Sequence, residues 1–259
     1  MDKRIGAQLY TVREFCKTIE DVDKTYEKLS KIGYKTVQAS GVNTELTGSE
    51  LKAVADKYGL ETICTHRAYS EYTEDLDRVI KFHKDLNCKI AGLGAAPASL
   101  RGSVEGLKKF VKDSNRISGE LKKEGITFGY HNHAFEFAKV DGKYVMDYLI
   151  EETDPDSFKF ILDVYWLSFA GVNPAKYIEK MGDRAMVIHF KDIKALGDKN
   201  EVTMCEVGQG NIEWDEVIAA CEKAGCLAAM VEQDRCDEGR DPFDCLKTSY
   251  DFLSKKGFN

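Results

Sequence analysis

The chain has 259 residues, of which 43% are hydrophobic and 31% charged, and it carries a net charge of −7 at pH 7. An acidic, self-repelling surface argues against a protein that tracks nucleic-acid phosphates. The length is sufficient to bury a large core without disulfides, and no apolar run approaches the length needed to cross a membrane. The start, MDKRIGAQLYTV, lacks the apolar stretch of a secretory signal, so the expected location is cytoplasmic. The eight cysteines include no C-x-x-C pair and are expected as reduced thiols.

Short apolar runs alternate with longer amphipathic stretches along the whole chain. IGAQLY at 5–10 precedes a helical pattern over 18–32, TVQAS at 36–40 precedes 49–58, ETICTH at 61–66 precedes 73–86, and KIAGLG at 89–94 precedes 103–124. ITFGYHNH at 126–133 then leads to 144–152, FKFILDVY at 158–165 to 174–181, AMVIHF at 185–190 to 214–224, and LAAMVEQD at 227–234 to 242–256. Within the helical segments the apolar spacing follows i, i+3, i+4, as in Leu107, Phe110 and Val111. Glycine closes helices in K-I-G-Y, K-Y-G-L, K-E-G-I and K-A-G-C, where a left-handed cap is wanted. Asn173 followed by Pro174 is a cap before a first-turn proline. Strict alternation of eight strands and eight helices predicts an α/β chain with a parallel sheet under helices. Its closed form is a single (β/α)8 TIM barrel, expected as one domain over residues 1–259. No G-x-G-x-x-G follows the first strand, and GLGAAP after the fourth is too short a match to mark a nucleotide site.

Barrels of this kind place chemistry at the carboxyl ends of their strands. Gln8, Tyr10, Gln38, His66, the group from His131 to Glu136, Asp163, His189 and Glu232 all fall there, and they include four of the five histidines. Singly, Asp163 also reads as a loop cap and His189 as a hydrogen-bonded core residue. Glu232 is harder to place without a partner, because a carboxylate inside a barrel strand is costly unless paired or metal-bound. His66 reads equally as a ligand, a substrate contact or a cap, and His83, within a helical pattern, is expected at the surface. Jointly, His131, Asp163, His189 and Glu232 converge on one mouth from four successive strands, with the nitrogen and carboxylate donors that hold a divalent metal.

The segments IGAQLYTVRE, GYHNHAFEF, LDVYW, VIHFKD, VGQGNIEW and MVEQD, in that order, resemble the xylose-isomerase-like TIM barrels. Within them the likeness is to the sugar phosphate isomerase/epimerase group. The resemblance implies a divalent metal (Mn, Co, Zn or Mg) held by Glu, Asp, His and Glu from four successive strands. It also implies proton transfer next to a carbonyl through an enediolate. Asp163, His189 and Glu232 match the last three ligand positions; His131 stands where the family has its first glutamate, with Glu136 the nearest carboxylate. On that pattern Glu232 is an acid/base, His131 a ligand or base, and Glu136 a further catalytic candidate. His66, Asn132, His133, Trp166, Lys191 and Glu206 are expected to line or orient the substrate. The expected activity is isomerisation or epimerisation of a small keto-sugar, polyol or sugar phosphate. The alternatives are a dehydratase or lyase on a 3-keto sugar or inosose, and a sugar-binding barrel without catalysis. The expected partner is a small sugar or polyol rather than nucleic acid or a membrane, with self-association left open.

Overall fold

The computed structural model describes residues 1–259 except 198 and 238. Eight parallel strands form its centre: β1 Ile5–Gln8, β2 Thr36–Ala39, β3 Glu61–Thr65, β4 Ile90–Leu93, β5 Thr127–His131, β6 Phe158–Asp163, β7 Ala185–Phe190 and β8 Ala228–Val231. They pair in the order β3-β2-β1-β8-β7-β6-β5-β4. A single parallel bridge between Arg67 and Leu93 joins the two ends, with the Arg67 amide donating to the Gly92 carbonyl at 2.9 Å. The sheet is therefore a nearly closed (β/α)8 barrel, as the alternation predicts.

The helices that cover it are α1 Ile19–Ile32, α2 Gly48–Lys57, α3 Leu76–Leu86, α4 Val104–Lys123, α5 Val145–Glu152, α6 Pro174–Met181, α7 Trp214–Ala224 and α8 Pro242–Lys255. Their ends are written in the sequence. Thr18 with Asp21 and Thr47 with Glu50 form capping boxes at α1 and α2, each satisfying two otherwise free amides. Gly33, Gly59, Gly125 and Gly225, which follow four of the helices, all take positive φ.

Four expected strands, 5–10, 126–133, 158–165 and 227–234, stop two or more residues early, and two of them show the local reason. The Gln8 side chain accepts the Tyr10 amide and turns the chain into a 3-10 segment, Leu9–Phe15. Asp163 accepts the amides of Tyr165 and Trp166 and starts a short helix, Val164–Phe169. Further short helices at Tyr69–Glu74 and Ala98–Arg101, and hairpins at Lys139–Val140 with Lys143–Tyr144 and Asp192–Ala195 with Val202–Cys205, decorate the carboxyl-end loops.

Inside the ring, Cys64, Ile90, Ile161, Met186, Val187, Ala228 and Met230 pack as one apolar plug. Side chains two apart share a strand face. Ile161, Val187 and Met230 therefore lie one layer beneath Asp163, His189 and Glu232, and the plug floors the mouth. The larger core, which includes Tyr26, Phe110, Phe128, Phe158, Phe160 and Phe190, fills the space between strands and helices.

His83 departs from expectation. It is fully buried, its ring bonded to Thr65 Oγ1 at 2.8 Å and to the Val79 carbonyl at 2.7 Å. It borders the apolar stripe of α3, and the hydroxyl at the end of β3 gives it a partner there. Burial holds it near pKa 4, hence neutral. All eight cysteines are free, and only Cys236 is not buried. Among the described residues, no helix is long and apolar enough to cross a membrane.

Candidate functional site

Strand register assembles the site. Asp163 pairs with His189 across β6 and β7, and Met230, two residues before Glu232, pairs with His189 across β7 and β8. His131 ends β5 opposite Ile161. One donor atom each from His131, Asp163, His189 and Glu232 then lie within 4.8 Å of one another, and all four residues are buried.

The individual contacts set the chemistry. His131 Nδ1 meets the Gly94 carbonyl at 3.1 Å, while Nε2 faces Asp163 Oδ2 at 3.4 Å. His189 Nε2 meets Gln38 Oε1 at 2.7 Å and Nδ1 faces Glu232 Oε2 at 2.9 Å, with Asp163 Oδ2 at 3.9 Å. Asp163 divides its oxygens: Oδ1 accepts two backbone amides, and Oδ2 turns inward. The Asn132 side-chain oxygen accepts the Asp163 amide and fixes the end of β6. Glu232 also divides its oxygens, with Oε1 accepting from Gln8 Nε2 at 3.0 Å.

A carbonyl on the outer edge of the His131 ring requires a proton on Nδ1, since a carbonyl only accepts. A neutral ring then turns the lone pair of Nε2 toward a carboxylate oxygen. A proton on Nε2 or a bound cation puts positive charge between the two and resolves the conflict. Metal-bound nitrogen and oxygen sit about 2.0–2.2 Å from the ion, which places neighbouring donors ~3–4.4 Å apart. The pairs at 3.4 and 3.9 Å fall in that range, and the pair at 2.9 Å lies just below it. Two imidazoles oriented from behind by carbonyl oxygens and two carboxylates make a donor set that fits a divalent ion.

Charges follow the same logic. Burial alone would raise Glu232, but the Lys191 ammonium and His189 outweigh it and hold the carboxyl well below its ordinary value. Asp163 is likewise lowered against burial by Lys191 and His131. Burial disfavours a charged His131, yet its bond to Asp163 raises it above the usual imidazole value. Burial and the neighbouring rings of His131 and His189 push His66 well below its usual value, so it is neutral. His133 falls to about 3 for the same two reasons, burial and then His131.

A cleft of about 630 Å³ opens above the donors, lined by Gln8, Tyr10, His66, His131, His133, Glu232 and Asp234 among others. Around the mouth the polar atoms His66 Nε2, Asn132 Nδ2, His133 Nδ1 and Trp166 Nε1 are buried without a hydrogen-bond partner. Two of the four, on His66 and His133, belong to residues that line the cleft and suit a polar guest, whereas Asn132 and Trp166 are not part of its lining.

The remaining expected residues divide. Lys191 is fully buried between Asp163, Glu232 and Asp234, with its ammonium 5.2 Å from the centre of the Trp166 ring. Glu136 does not join the donors. Its oxygens accept from the Tyr130 hydroxyl at 2.5 Å and the His133 amide at 2.7 Å, because it caps the turn Ala134–Phe137 behind β5. Burial raises it to about 7. Glu206 pairs with Arg240 from the loop after β8 and is not among the residues lining the cleft. Sequence reasoning missed Asp234, which lines the cleft and holds Lys191 at 2.6 Å; the signal was its position two residues beyond Glu232 on the same strand end. It also missed Asp192, which gathers the amides of Gly208, Gly210 and Ile212 and the indole of Trp214.

Fold and site define a class: an eight-stranded α/β barrel with a buried two-imidazole, two-carboxylate donor set at its carboxyl mouth. The chain belongs to the xylose isomerase-like TIM barrel family, which it matches over residues 26–254. A sugar phosphate isomerase/epimerase structure from Parabacteroides distasonis ATCC 8503 is 24% identical and superposes with a TM-score of 0.81, covering 97% of this chain and 93% of that one. A D-allulose 3-epimerase from Methylomonas sp. is 14% identical, with a TM-score of 0.72 over 98% of this chain and 97% of the other. A probable 3-DHS dehydratase of petrobactin synthesis from Bacillus anthracis is also 14% identical, with a TM-score of 0.70 over 97% and 98%. At these identities the likeness is one of fold. No curated protein sequence matches the chain.

Proposed function

We propose that this protein is a divalent-metal-dependent isomerase or epimerase of a small keto-sugar, moving a proton on carbon next to a carbonyl. The observation that carries the reading is the donor set of His131, Asp163, His189 and Glu232, gathered within 4.8 Å and opening into a cleft with unpartnered polar atoms. Those four residues would hold the ion, with manganese, cobalt or zinc suiting the imidazole share better than magnesium. When bound, the ion would supply electrophilic stabilisation of negative charge on the substrate's oxygens as the carbon-bound proton leaves.

Glu232 is the proton acceptor in this reading. It is ionised, lies on the cleft wall, and is steadied by Gln8 on its outer oxygen. His131 stands at the ligand position where the family resemblance implies a second glutamate. Neutral His66 presents Nε2 for a substrate hydroxyl, and His133 Nδ1 is a second unpartnered atom on the cleft wall. A cleft of about 630 Å³ is large enough for a monosaccharide.

A second reading, elimination of water from a 3-keto sugar or inosose, is favoured by one feature. The acid/base pair is unsymmetrical, one carboxylate and one imidazole, and elimination needs unlike partners at its two carbons. Incubation with Mn²⁺ and a panel of keto-sugars in deuterium oxide tests both. Deuterium next to the carbonyl in recovered sugar supports the first reading, and an unsaturated product supports the second. Binding without either outcome leaves a sugar-binding barrel and overturns the enzymatic proposal.

A further inference from the structure

Lys191 contributes a cation to the same two oxygens that face the metal donors. Its Nζ lies 3.4 Å from Asp163 Oδ2 and 3.4 Å from Glu232 Oε2, and its shortest contact is to Asp234 Oδ1 at 2.6 Å. The side chain is 1% exposed, so this charge is poorly screened. Two positive charges close to one pair of carboxylate oxygens repel strongly in a buried site.

We propose that Lys191 is the built-in counter-cation of the metal site, competing with the divalent ion for Asp163 and Glu232, and that Asp234 is the positioning residue that takes the ammonium when the ion enters. The inference rests on the metal-binding reading above and adds to it a control of affinity. The geometry supports a small displacement only: the Lys191–Asp234 contact already exists and is the shortest of the three, so the ammonium slides toward a partner it holds. Without metal, Lys191 sets an ammonium against two buried carboxylates, whose charge is costly to bury with less compensation. With metal, it is retained beside the Trp166 ring.

The experiment is Mn²⁺ titration by calorimetry of chelator-treated protein, with thermal melts of the metal-free forms. Lys191→Met should bind Mn²⁺ at least tenfold more tightly than wild type, while its metal-free form melts at a lower temperature. Asp234→Asn should bind more weakly than wild type, and that loss should shrink in the Lys191→Met background, because Asp234 acts through Lys191. Unchanged or weaker binding by folded Lys191→Met overturns the proposal while leaving the metal site intact. An Asp234→Asn loss of equal size in both backgrounds also overturns the positioning role. If Lys191→Met does not fold, Lys191→Gln replaces it in the same cycle, with the same tighter binding expected. Absence of Mn²⁺ binding by wild type removes the metal reading itself, and this inference with it.

Discussion

Glu232 and Glu136 are both buried carboxylates near the carboxyl end of the barrel, at 4% and 0% exposure, yet their environments drive them in opposite directions. Glu232 has Lys191 and His189 beside it and is held well below its ordinary value. Glu136 has a hydroxyl and an amide, and burial carries it up to about 7. Burial by itself protonates a carboxyl, and the placing of cations decides where negative charge survives. The mouth is therefore a place built to hold charge. The pocket behind β5 is a structural joint that ties Tyr130, the Ala96 amide and the turn after β5 together.

That contrast is most sharply tested by Glu232→Gln against Glu136→Gln. The first should lower solvent proton exchange into substrate by roughly 10²–10⁴-fold with its circular dichroism unchanged; the second should leave the rate near wild type. Equal losses would erase the distinction between the two carboxylates. Next in size, Asp163→Ala and His189→Ala should each lose metal during purification, whereas Glu136→Gln keeps it. Elemental analysis reads this directly, and stoichiometric metal in both alanine variants would break the donor assignment.

A pH series examines Glu136 from its other side. The folded chain holds a proton on it up to about pH 7, while the ordinary glutamate value is 4.5. Between those values the folded state binds a proton that the unfolded chain releases, so stability falls as pH rises and levels off above 7. The loss is on the order of 3 kcal/mol. Urea unfolding at pH 5, 6, 7 and 8 should show that decline in wild type and a shallower one in Glu136→Gln; parallel slopes would count against a raised Glu136. The smallest effect is expected from Tyr130→Phe. It removes one bond to Glu136 and one from Ala96, at a cost of about 1–2 kcal/mol measurable by the same unfolding.

Much of this was legible in the chain. The period-two and 3.6-residue patterns and the glycines after helices carry the barrel, because these signals depend only on neighbours in sequence. His131, Asp163, His189 and Glu232 were legible because each lies at or beside the carboxyl end of a strand that is otherwise apolar. Asp163 shows why the two readings of such a residue need not compete: one oxygen caps Val164–Phe169 and the other faces the donors. Asp234, Glu136, Glu206 and His83 were not legible. Sequence distance from a strand end does not say whether a flexible side chain turns toward the mouth, the next loop or the core. Gly210 is a further case: a Cβ there would lie 2.3 Å from Asp192 Oδ1, a constraint with no local sign in VGQGNIEW.

By itself the sequence determined the alternation of elements, the barrel and the four residues at its open end, since backbone periodicity sets which strand face a side chain takes. Only the tertiary structure decided which carboxylates share a cation, which are sealed against a hydroxyl, and where the Lys191 ammonium rests. Those outcomes depend on distances of a few ångströms between groups far apart in the chain, and charge interactions in a buried site change steeply over that range.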